Sequence, residues 1–379
     1  MKKFKRILKK MMLYLLAIIL FLVLVVVLFV NLNPQMGASI SKEKKELFKT
    51  SKQYKDGQFN NLGGVKMEMS FKDFTKSMAA YFSPQPHSVP EKDIAVATID
   101  SVAVSDYKGP TRLVWFGHSA FLLQMNGKNI LLDPMFGEVP APAPFLGKKR
   151  FSAQLPIIVE KLPIIDAVIF SHDHYDHLDY GSVLALKDKV KQFITPLGVG
   201  SHLEKWGVPA NHIQELDWWQ ETNVEDITFA CTPAQHFSGR GLTDRGSTLW
   251  SSWVIKANDE NLFFSGDSGY GNHFKDIGNA YGPFDFAMLE CGQYNELWHT
   301  IHMMPEETAQ AGIDVKAKKA MPIHWGAFKL AMHPWTEPVE RVSVKAKELQ
   351  LPLVTPKIGV PIVLGSEEQS SSKWWPAFN

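Results

Sequence analysis

Residues 168–177 constrain the fold of this chain more than any other stretch. Val168, Ile169 and Phe170 run directly into Ser171, His172, Asp173, His174, Tyr175, Asp176 and His177. A short β-branched and aromatic run of this kind reads as a buried strand. Three imidazoles therefore leave the end of one strand among carboxylates. A solvated turn has little use for that set. Imidazole and carboxylate are the ligands zinc takes where thiolate is absent. The chain has only two Cys, too few for a thiolate metal site or a disulfide framework. One loop cannot complete two coordination shells, so the fold must bring other strand ends to this one.

Three further residues stand where an apolar strand stops. His236 follows 227–231, Asp267 follows 262–265, and His324 follows 320–323. Each alone is weak, since a His after a strand is commonly an ordinary surface or core residue. Their order along the chain is what gives them weight. Strands are also expected at 112–116, 121–125, 130–132, 167–170, 192–195, 253–256 and 286–289. Asn126-Gly127 marks a hairpin. Residues 182–189 and 305–318 have helical character. Strands interleaved with helices over residues 111–365 imply one layered α/β domain.

This ordered ligand set resembles the metallo-β-lactamase superfamily over roughly residues 110–365. The resemblance implies an αββα sandwich holding two metal ions between its sheets. It assigns His172, His174 and His236 to one ion and Asp176, His177 and His324 to the other, with Asp267 bridging. Other segments are similar to the N-acyl-phosphatidylethanolamine-hydrolysing phospholipase D-like hydrolases: Gly117-His118-Ser119, Leu132-Asp133-Pro134, Gly266 to Tyr270, and His302 with Pro305-Glu306-Glu307. That implies phospholipid or a related small ester as substrate. Water is then the nucleophile, because two divalent ions, zinc foremost, bring its pKa towards about 7. Asp176 would orient that water. His302 would bind substrate or protonate the leaving group, against the alternative of a surface His before a helix. His118 and Asp133 are candidates for fixing ligand tautomers. Leu289-Glu290-Cys291-Gly292 departs from the resemblance, whose strand is more apolar there. A two-metal lactonase, esterase or sugar-phosphate hydrolase, or a membrane-tethered binding protein without activity, are the competing readings.

Charge and hydropathy settle the remainder. Lys+Arg is 40 and Asp+Glu is 39, which excludes a nucleic-acid partner held by bulk charge. Six of the basic residues lie within the first twelve, with no acid among them. Met11 to Val30 then carries no charge. Twenty helical residues span about 30 Å, the hydrocarbon thickness of a bilayer. The run exceeds the about 7–15 apolar residues of a cleavable signal peptide, the competing reading. Residues 1–30 are thus expected to be a basic flank and single transmembrane helix, with the N-terminus cytoplasmic and the remainder on the far side. Residues 31–110 read as a polar linker and irregular arm, and 366–379 as a tail with no clear element.

Overall fold

The chain opens with α1 (Lys2–Leu32), which has no buried residue. Among the described residues it is the one helix long and apolar enough to cross a membrane. This computed structural model describes residues 2–66, 70–366 and 373–379. The Ser run expected in the tail lies outside them. The segment after α1 is docked rather than extended. Asn33 Nδ2 donates to Pro142 O (2.6 Å), Trp206 Nε1 to Pro34 O (2.8 Å) and Gln35 Nε2 to Asp179 Oδ1 (2.8 Å). The arm also holds more regular structure than its sequence suggests: α2 (Lys42–Phe48), a short hairpin of β1 (Tyr54–Lys55) and β2 (Gln58–Phe59), α3 (Phe71–Phe82) and α4 (Ser101–Ser105). Ser70 and Asp73 carried the missed signal for α3. The Ser70 hydroxyl accepts from the Asp73 amide at 3.1 Å, an N-cap followed by an acid in the first turn.

Two sheets follow. The first comprises β3 (Arg112–Trp115), β4 (Phe121–Met125), β5 (Lys128–Leu132), β6 (Ile165–Ile169), β7 (Val190–Pro196) and β8 (Ile213–Leu216). The second comprises β9 (Glu221–Val224), β10 (Ile227–Thr232), β11 (Ser252–Ala257), β12 (Glu260–Phe264), β13 (Phe286–Glu290) and β14 (Ala320–Ile323). A last strand, β15 (Ile362–Val363), pairs with β3 and gives the first sheet the order β15-β3-β4-β5-β6-β7-β8. The second runs β14-β13-β12-β11-β10-β9. Strand alternation sorts the side chains. Leu113 and Trp115 of β3 and Leu262 and Phe264 of β12 face a shared core between the sheets. Val114 faces outward onto α5 (Tyr180–Leu186) and α6 (Gly200–Lys205). Phe263 faces outward onto α7 (His273–Ala280), α8 (Pro305–Asp314) and α9 (Glu337–Glu348). Helix, sheet, sheet, helix is the expected αββα sandwich.

Strand direction positions the site. β3 and β4 are antiparallel, β4 and β5 antiparallel, and β5 and β6 parallel, so β3, β5 and β6 all point one way. By the same count β10, β12, β13 and β14 point together in the second sheet. Their carboxyl ends share one edge of each sheet, where α/β folds place ligands. The tail departs from its expectation. Trp374 and Trp375 are buried beside a final single turn, Trp375–Phe378. Both pack on Trp325, with ring centroids 5.5 and 5.6 Å away, directly behind His324.

Candidate metal centre

All seven residues expected to bind metal come together, each from a different position at those strand ends. His172, His174, Asp176 and His177 lie in the loop after β6. His236 follows β10, Asp267 follows β12 and His324 follows β14. His172, His174 and His236 offer ring nitrogens within 4.8 Å of one another. His118, Asp176, His177 and His324 form a second group meeting the same limit, and His172, His177 and Asp267 a third. Asp267 Oδ2 lies between the sets, 3.1 Å from His177 Nε2 and 3.0 Å from His324 Nε2 on one side. On the other it is 3.8 Å from His172 Nε2 and 3.9 Å from His236 Nε2.

The outward ring nitrogens fix how the inward ones face. His177 Nδ1 donates to Asp133 Oδ2 at 2.6 Å, and Asp133 is itself held by the Ser171 amide at 2.7 Å. His236 Nδ1 donates to Ile301 O at 3.0 Å, and His324 Nδ1 to Gly292 O at 3.2 Å. His172 Nδ1 lies 2.9 Å from the Ser171 hydroxyl. With those protons placed by their partners, each Nε2 turns a lone pair inward. His174 Nδ1 meets two of them, 2.9 Å from His172 Nε2 and 3.1 Å from His236 Nε2. One proton cannot satisfy three converging nitrogens. A zinc ion with bonds near 2.0–2.1 Å spaces tetrahedral nitrogens about 3.3 Å apart, so a cation suits this geometry. His177 Nε2 and Asp267 Oδ1 are buried and lack hydrogen-bond partners among the described residues, as donors kept for an ion would be.

The electrostatics agree. Burial holds His172 and His236 well below the usual imidazole value, with neighbouring imidazoles adding to the effect, so both stay neutral. Burial also opposes charge on His177 and His324, but Asp267 and Asp176 outweigh it and hold both well above that value. The carboxylates thus demand positive charge at this point. His118 is pushed down to about 3 by burial, and its Nε2 lies 2.8 Å from Asp176 Oδ2. His118 and Asp133 both occupy the ligand-supporting positions considered from sequence.

His302 reaches the same centre. Its ring stacks on His324 at 5.3 Å and meets His236 edge-on at 5.0 Å. The residue that sequence reasoning missed is Glu290. It ends β13, is fully buried, and binds His302 Nδ1 at 2.9 Å and the Met303 amide at 3.0 Å. Its signal was present: a glutamate at the end of an apolar strand, where the expected strand is more apolar. Gly292 permits the adjoining turn. A Cβ there would stand 1.9 Å from His324 O, so any side chain would displace a ligand's backbone. Asp173 and Asp179 stay outside the centre. Asp173 accepts from His202, the Gly239 amide and the Thr248 hydroxyl, and Asp179 caps α5.

Known proteins share this arrangement. Residues 128–325 match the family described as a beta-lactamase superfamily domain. A Mycobacterium tuberculosis protein, described as uncharacterized, is 40% identical over 316 residues, which cover 82% of this chain and 83% of that protein. The N-acyl-phosphatidylethanolamine-hydrolyzing phospholipase D 1 of Caenorhabditis elegans is 33% identical over 247 residues, 61% of this chain and 69% of that one. Among solved structures, the isothiocyanate hydrolase from Delia radicum gut bacteria is similar in fold, with a TM-score of 0.54 at 23% identity over 66% of this chain and 98% of that one. With its sandwich, its strand-end cluster and these relatives, the chain belongs to the beta-lactamase superfamily and is a metal-dependent hydrolase.

Proposed function

We propose that the protein is a membrane-anchored phosphodiesterase of the phospholipase D type, acting on N-acyl-phosphatidylethanolamine or a related phospholipid. The observation that carries the reaction class is the convergence of five inward ring nitrogens on Asp176 and Asp267. The 33% identity to the worm phospholipase D supports the substrate class. His172, His174 and His236 hold one divalent ion, Asp176, His177 and His324 the other, and Asp267 bridges. The all-imidazole and carboxylate set favours zinc. When bound, the pair supplies Lewis acidity towards a phosphoryl oxygen and a supply of hydroxide at neutral pH.

The remaining work falls to this chain's side chains. Asp176 orients the attacking water from a carboxylate already fixed by His118. Glu290 binds His302 Nδ1, which leaves His302 Nε2 facing the centre to bind substrate or protonate the departing alkoxide. Burial of the cluster keeps bulk water from competing for these groups. α1 crosses the bilayer with its basic flank in the cytoplasm, and residues 31–379 lie on the opposite side.

The test is release of phosphatidic acid from N-palmitoyl-phosphatidylethanolamine by metal-replete full-length protein in detergent. Release is the expected result. No release from N-acylated or ordinary phosphatidylethanolamine, with opening of a lactone instead, would overturn the phospholipase reading.

A further inference from the structure

Two cavities abut beside the metal centre on the face that carries the anchor. The inner one, about 240 Å³, is lined by Phe59, Val65, His236, Phe237, Arg245 and Trp250. The outer one, about 450 Å³, is lined by Val30, Asn31, Lys45, Lys205, Leu242 and Arg245. Gln58 and Arg245 border both. The outer cleft therefore starts at the last turns of α1 and the inner pocket ends at a proposed metal ligand.

The anchor's exit is fixed against this face. Arg240 is buried, donates to Gln35 O at 2.7 Å and Gln35 Oε1 at 3.1 Å, and reaches Leu178 O at 2.7 Å and the Asp173 carbonyl. One guanidinium so joins the segment leaving α1 to the loop carrying His174, Asp176 and His177. Lys205 donates to Gly37 O, and the Ala38 amide to His202 Nδ1 at 2.9 Å. These bonds keep the cleft's mouth next to the bilayer that α1 enters.

Arg245 stands at the junction with its charge uncommitted. Its guanidinium lies 4.1 Å over the Phe237 ring, and that ring lies 4.5 Å from His174 and 4.9 Å from His236. Among the described residues no carboxylate lies within ion-pair distance of it. Two carboxylates line the outer cleft, Asp56 and Asp244. Asp244 is occupied by the Arg240 and Gly241 amides, at 3.0 and 2.8 Å. Lys45 and Lys205 share the cleft, and Lys66 shares the inner pocket. An exposed arginine between an apolar pocket and a membrane-facing cleft suits an amphiphile with an anionic head.

We infer that this junction is an anionic-phospholipid site, in which Arg245 captures the phosphate of a lipid entering from the bilayer, one aromatic ring short of the metal centre. The inference rests on the phosphodiesterase reading and adds a selectivity to it. An N-acylated phosphatidylethanolamine has lost its ammonium charge to the amide, so its phosphate is uncompensated. A phosphatidylcholine carries its own cation and gains little from a guanidinium.

Titration calorimetry on the metal-replete full chain in detergent tests this without turnover, using dihexanoyl phosphatidic acid, dihexanoyl phosphatidylcholine and inorganic phosphate. Wild type binds the phosphatidic acid more tightly than the choline lipid. Arg245→Gln weakens the phosphatidic acid about tenfold, as expected for one charge-assisted contact, and leaves inorganic phosphate unchanged. Arg245→Lys keeps most of the affinity, and an unchanged melting temperature in both variants excludes misfolding. Equal phosphatidic acid binding by wild type and Arg245→Gln would overturn the site. A parallel loss of inorganic phosphate would also overturn it, by reducing Arg245 to a general anion contact. Binding as stated with no phospholipid hydrolysis would instead overturn the phosphodiesterase reading and leave this site standing.

Discussion

Two groups of buried histidines behave differently in this molecule. His172, His174, His177, His236 and His324 point nitrogens at one place, with outward nitrogens tied to backbone or to Asp133. His202 and His273 are as well buried, at 1% and 4% exposure, yet each has its own separate partners. His202 joins Asp173 to the Ala38 amide, and His273 bonds the Ser268 hydroxyl at 3.0 Å. Burial alone does not make a metal site. Convergence of basic nitrogens without enough protons to share does.

The largest test of that contrast is His174→Ala. It removes the nitrogen on which two others converge, and should abolish hydrolysis and lower metal content. Full activity in this variant would sink the metal mechanism. The next effect is at Glu290. Glu290→Gln keeps the shape but weakens the hold on His302, and should lower kcat by about 10²-fold while metal content stays at the wild-type level. An unchanged kcat would return His302 to a bystander role.

His202→Ala should do the opposite. Activity per folded molecule and metal content are retained, but the buried Asp173 carboxylate loses its imidazole partner. The expected cost is about 2–4 kcal/mol, read by denaturant unfolding. Loss of metal with unchanged stability would erase the distinction between the two groups.

The smallest effect concerns His273, whose pKa burial lowers from 6.5 to about 3. Its folded value lies below its unfolded one, and the favoured folded form is neutral. The stability it contributes is therefore present above about pH 6.5 and is lost as pH falls from there towards about 3. Between pH 7 and pH 5 the loss should be about 2 kcal/mol, and His273→Gln should flatten that part of the profile.

The ligand set was legible because four of its members share one loop and the rest sit where apolar strands stop. Strand alternation also made the sandwich legible. Glu290 was visible only as an oddity, since nothing local says that its carboxylate meets His302 across a turn. α9 was missed because its apolar positions, Val339, Val342 and Ala346, are thinly spaced among charges. Docking of residues 33–38 had no sequence signal at all. Its bonds run from side chains to backbone over more than a hundred positions and follow no period. Trp374 and Trp375 likewise declare their place only through the tryptophans they meet.

Elemental mass spectrometry of the purified full chain tests the central claim most directly. The account predicts about two divalent ions per wild-type chain and a marked fall in Asp267→Ala, whose carboxylate serves both positions. One ion or none in an active wild-type chain, or two ions retained in Asp267→Ala, would contradict it.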